Sequence, residues 1–87
     1  MQTGDLVREA RRQVSELTGL PAETVTGMQR VDDDSWVVTV EMLELARVPN
    51  TMDVLGTFEV TLSADGELRG FRRLGRHRRS ATKEGKD

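Results

Sequence analysis

The chain has 87 residues, of which 36% are hydrophobic and 3% aromatic; it has no cysteine and a formal net charge of −2. A single domain of this size buries only about 60–65% of its unfolded surface, which leaves no room for a second lobe or a deep cleft between lobes. The composition excludes disulfides and thiolate metal sites. It shows no apolar run near the ~18 residues of a membrane span and no apolar signal region at the N-terminus, so a soluble cytoplasmic protein is expected.

Asp5 to Thr18 is expected to form an amphipathic helix. Leu6, Val7, Ala10, Val14 and Leu17 fall on one face at helical spacing. Glu9, Arg12 and Glu16 are spaced for surface ion pairs. Thr3 or Asp5 is the expected N-terminal cap, and Gly19 followed by Leu20 and Pro21 forms the stop signal. Glu23 to Val31 is the first expected strand, with Gly27 marking a bulge or bend. "DDDS" (Asp32 to Ser35) is a turn. Its three carboxylates lack the alternating spacing and distal Glu of a calcium loop, so they are taken as solvated.

Trp36 to Val48 carries the clearest strand pattern. Trp36, Val38, Val40 and Met42 alternate onto the face expected to meet the helix, and Val37, Thr39, Glu41 and Leu43 onto the other. Val54 to Ser63 is the third strand, with Phe58, Val60 and Leu62 inward. Ala64 to Gly66 is expected as a three-residue hairpin loop with Gly66 in the left-handed region, which pairs Leu62 with Leu68. Glu67 to Arg79 is the last strand. Leu68, Phe71 and Leu74 break period two, so Gly70 is expected at a bulge. The predicted architecture is α+β: one N-terminal helix on a four-stranded antiparallel meander sheet, in two layers. The domain covers residues 1–79 and residues 80–87 form a polar tail.

No catalytic set emerges. His77 stands alone among arginines, where a solvated or edge-strand role is expected. Glu41 and Glu59 can approach on the outer sheet face. Basic neighbours such as Arg69 or Arg73 would keep both ionised, giving a cross-strand charge ladder rather than an acid–base pair. No cofactor or metal site is read, and the chain is expected not to be an enzyme.

Charge is unevenly distributed. Residues 1–68 hold 13 acidic and 5 basic side chains, and residues 69–87 hold 8 basic and 2 acidic ones. The stretch "RGFRRLGRHRR" has six arginines and one aromatic residue in eleven positions. A small nucleic-acid-binding or regulatory module is the alternative this permits, with arginines on phosphates and Phe71 on a base. The acidic body and single aromatic residue weigh against it. A basic edge that docks on an acidic protein surface is preferred. The free edge strand also offers a route to weak self-association.

Between strands two and three, "ARVPNTMD" (Ala46 to Asp53) is not a tight hairpin turn. Two compatible readings stand. Pro49, Asn50 and Asp53 can build a specified corner stapled by Arg47 to Asp53 or Glu44. The same corner can be a rigid docking loop with Arg47 and Met52 exposed to a partner.

The stretch from "GMQRVDDDSW" through "VEMLELARVP", "TMDVLGTFEV" and "DGELRGFRRLGRHRR" resembles the gas vesicle protein O family. Phe71 stands where that family commonly has Tyr, and His77 near another usual Tyr. Many members also carry a longer polar N-terminal stretch. The resemblance implies a minor, non-enzymatic accessory factor for building gas vesicles. It would act by contacts with other gas vesicle proteins, without membrane or cofactor, in the cytoplasm or on the vesicles. The expected partner-binding residues are Arg47, Pro49, Met52, Asp53, Arg69, Arg73, Arg76, Arg78 and Arg79.

Overall fold

The apolar stripe of the N-terminal segment closes a 16-residue helix, α1 (Thr3–Thr18), in a computed structural model that describes residues 2–79. The tail expected over residues 80–87 lies outside the described residues. Leu6, Ala10 and Val14 are the buried members of the stripe, while Leu17 at its end is 56% exposed. Neither Thr3 nor Asp5 caps the helix. Gln2 occupies the cap position and contributes only its carbonyl, which accepts from the Asp5 and Leu6 amides. The stop is as expected: Gly19 has φ 74°, and its amide donates to the Ser15 carbonyl.

Four strands follow: β1 (Ala22–Asp32), β2 (Ser35–Leu45), β3 (Val54–Ser63) and β4 (Leu68–Arg78). They pair antiparallel in the order β1-β2-β3-β4. This is the expected two-layer α+β meander with the helix on one face. Period-two alternation sends Val38, Val40 and Met42 of β2, and Phe58, Val60 and Leu62 of β3, against Leu6, Ala10 and Val14. Burying such side chains is worth about 1.5–3 kcal/mol each, and this contact holds the two layers together. Trp36 differs from expectation. It is only partly buried and packs against this core from the start of β2, with the exposed Arg30 of β1 as its neighbour on the other side.

Gly27 lies at a break in the β1–β2 register, as expected of a bulge. Gly66 closes the β3–β4 loop with φ 89°, and Leu62 faces Leu68. β4 carries two irregularities rather than one. The register steps from Leu62↔Leu68 to Thr61↔Gly70, and again from Phe58↔Arg73 to Thr57↔Gly75. Each extra residue reverses the face to which later side chains point. Phe71 therefore faces the core side opposite Val60, stacks obliquely on Phe58 at 6.3 Å and remains 40% exposed.

The second strand ends at Leu45, earlier than the sequence pattern implied. A β-irregularity at Glu44, a single 3-10 turn (Asn50–Met52) and a cis Val48–Pro49 peptide form the corner.

Candidate interaction site at the corner and the arginine strand

Asp53 organises the corner. It is 5% exposed, and its Oδ1 accepts the Arg47 amide at 2.7 Å. Its Oδ2 accepts Nε and Nη2 of Arg79 at 3.2 and 2.8 Å, while its carbonyl accepts the Arg79 amide at 2.8 Å. Arg79 also donates to Glu23 at 3.0 Å, which ties the end of β4 to the start of β1. The Arg47 amide and then the Arg79 guanidinium hold the Asp53 carboxyl below the usual aspartate range, against the opposing effect of burial. The guanidinium is raised in turn by Glu23 and Asp53. Inside the corner, the Asp53 amide donates to the Asn50 carbonyl at 3.0 Å. The staple is thus Arg79; Arg47 contributes only its backbone N–H to Asp53.

A second ion cluster lies beside it on the helix-side face. Glu44 pairs with Arg73 at 3.2 Å and Arg76 at 3.1 Å, although the Glu44 side chain is only 9% exposed. It occupies space that a side chain at Gly56 would fill, since a Cβ there would lie 2.0 Å from its Oε2. Gly56 is therefore required by a close approach.

The remaining expected site residues are dispersed. Arg69 reaches back to Asp34 at 2.6 Å, at the far end of the sheet, and Arg72 pairs with Glu59 at 3.1 Å. Glu41 accepts from the Thr57 hydroxyl at 2.9 Å, and its other oxygen faces His77 Nε2 at 3.1 Å. One expectation is corrected here: the outer-face carboxylates meet Arg72 and His77 instead of Arg69 and Arg73. His77 itself takes the edge-strand alternative, on β4 and partly covered. The double irregularity in β4 is the cause, because it exchanges the faces that simple alternation assigns. Among the described residues, no three His, Cys, Asp or Glu side chains converge as a metal site.

Beside the corner, Arg47, Val48, Met52, Val54 and Arg78 line a groove of about 270 Å³. Val48 is 99% exposed and Met52 38%. Pro49, at the corner's tip, is also exposed. Among the described residues, the side chains of Arg47 and Arg78 form no ion pair. Val54, Glu23 and Gly56 were not singled out from the sequence, and Glu44 was expected only as a partner of Arg47, whereas it pairs with Arg73 and Arg76. The legible signal was Glu44, a carboxylate at the inward position after Met42.

The sequence model of the family described as gas vesicle synthesis protein GvpO matches residues 1–83. A gas vesicle protein O from Streptomyces sp. (strain CB03234) is 50% identical over 74 residues, covering 85% of this chain and 57% of the relative. One from Haloferax mediterranei is 36% identical over 75 residues, 86% of this chain and 54% of the relative. Gas vesicle protein O1 of Halobacterium salinarum is 40% identical over 53 residues, 61% of this chain and 44% of the relative. The chain thus spans about half the length of these relatives. No solved structure matches it.

Proposed function

The chain belongs to the gas vesicle synthesis protein GvpO family, and from that premise we propose that it is a non-enzymatic assembly factor for gas vesicles. It acts in the cytoplasm or at the vesicles, by contact with other gas vesicle proteins. The observation that carries this reading is the contrast at the corner. Asp53 and Arg79 fix the loop from within, while Arg47, Val48, Met52 and Arg78 are left facing outward, with no ion pair for either cation among the described residues. A stiff loop presenting unpaired charge and apolar surface is suited to recognition, because little ordering entropy is lost on binding.

Of the expected contact residues, Arg47, Pro49, Met52 and Arg78 are proposed to touch the partner. Asp53 and Arg79 hold the loop, and Arg73 and Arg76 hold Glu44 beside it. Arg69 stabilises the opposite end of the sheet. The nucleic-acid alternative has less support, because Arg69, Arg72, Arg73, Arg76 and Arg79 are all engaged with carboxylates of the same chain.

The test is complementation of a strain lacking the gene, with vesicles counted by electron microscopy. Arg47→Glu combined with Arg78→Glu is expected to abolish or sharply reduce vesicles while circular dichroism shows a folded chain. His77→Ala is expected to leave vesicles intact. Full vesicle formation by the charge-reversed variant would place the docking surface elsewhere.

A further inference from the structure

We propose that the corner groove accepts an apolar peptide segment bearing carboxylates, supplied by a partner protein; this rests on the docking reading above. The groove's chemistry is mixed in a specific way. Its floor and rim are the apolar Val48, Met52 and Val54, and its cations are Arg47 and Arg78. Elsewhere on the sheet the arginines already hold carboxylates. Arg69 takes Asp34, Arg72 takes Glu59, Arg73 and Arg76 share Glu44, and Arg79 takes Asp53 and Glu23. Arg47 and Arg78 stand apart as guanidiniums beside an exposed apolar surface and, among the described residues, without an anion partner.

Guanidinium groups favour planar, bidentate anions, and carboxylates fit that geometry. Phosphate shares it, so the apolar residues decide between the two sources. Val48 at 99% exposure and Met52 at 38% gain from covering by aliphatic side chains. A nucleic-acid backbone offers no such cover. The groove, at about 270 Å³, falls below the roughly 300–1,000 Å³ usual for small-molecule pockets.

The full chain is titrated, by fluorescence anisotropy, against a labelled peptide alternating leucine and glutamate. Three controls are a lysine-for-glutamate counterpart, a serine-for-leucine counterpart and single-stranded DNA. The leucine–glutamate peptide is expected to bind, with each control at least tenfold weaker. Arg47→Glu and Arg78→Glu are each expected to weaken binding at least tenfold. Arg11→Glu, on an exposed part of the helix, is expected to leave it unchanged. Backbone amide NMR shifts should move at Val48, Met52 and Val54. The proposal is overturned by no binding at millimolar peptide, by equal binding of the lysine counterpart or DNA, or by undiminished binding to the groove variants. If Arg47→Glu blocks vesicle formation while no acidic–apolar peptide binds, docking at the corner stands and this partner chemistry falls. If peptide binding is lost in the variants yet vesicles form normally, the groove chemistry stands and its use in assembly falls.

Discussion

At Gly56, a missing side chain and a buried carboxylate are one feature. The Glu44 carboxylate sits where a Cβ would be, held there by Arg73 and Arg76. Gly56→Ala is therefore expected to expel Glu44, break both pairs and lower stability, with Glu44 driven towards water. In a Glu44→Ala background the same substitution should cost little, because strands favour a side chain over glycine. Urea unfolding of the two single variants and the double variant checks this; strict additivity would show that the two sites do not share the space. The core is less forgiving. Phe58 is 7% exposed beneath the helix, so Phe58→Ala is expected to cost about 3–5 kcal/mol. Trp36→Ala should cost less despite the larger ring, since Trp36 is only partly buried against the core. Thermal unfolding of the pair decides the order.

Within α1, the start is the weakest part. Gln2 makes no side-chain cap, and Gly4 occupies the first turn with open space where a side chain would stand. Gly4→Ala is expected to stabilise the chain by about 0.4–1 kcal/mol, because it removes unfolded-state freedom without a clash. A lower midpoint for this variant would show a contact that the open space does not suggest. The end of the same helix is better secured. The Ser15 hydroxyl donates to the Leu20 carbonyl, the Thr18 hydroxyl to Val14, and Gly19 supplies the left-handed turn. Along β4, arginines line an outer edge that is open for pairing with another strand. A second copy aligned there would bring like charges together, which opposes the self-association that a free edge invites.

Across the whole molecule, charge that is segregated in sequence is interleaved in space. The acidic body and the basic last strand meet as pairs, from Asp34 with Arg69 at one end of the sheet to Asp53 with Arg79 at the other. Stability should therefore fall in acid. The Asp53 carboxyl is held below its ordinary value in the folded chain, so the unfolded chain binds the proton first. Its contribution is complete above the ordinary aspartate range and is lost as pH falls through the folded value. Glu9, lowered by Arg12 and Gln13, acts in the same sense. Asp53→Asn is expected to lower the midpoint at neutral pH and flatten its decline in acid. Melting curves from neutral pH down to about pH 3 test this; an unchanged acid slope would assign the decline to other carboxylates.

The sequence by itself determined the elements, their order and the layer to which each apolar residue belongs. Helical and period-two spacing are local, and burial of one face leaves little choice of partner. Gly19 and Gly66 were legible for the same reason, since each answers a backbone requirement set by its immediate neighbours. The ionic partners were decided only by the tertiary structure. Two extra residues in β4, at Arg69 and Leu74, change which face later side chains meet, and nothing in alternation marks Leu74 as the second break. Hence Arg73 and Arg76 found Glu44, His77 found Glu41, and Arg79 took the place at Asp53 that Arg47 was expected to fill. Arg47 and Arg78 were left facing outward because a carboxylate's position in space, and not its position in the chain, determines which cation it satisfies.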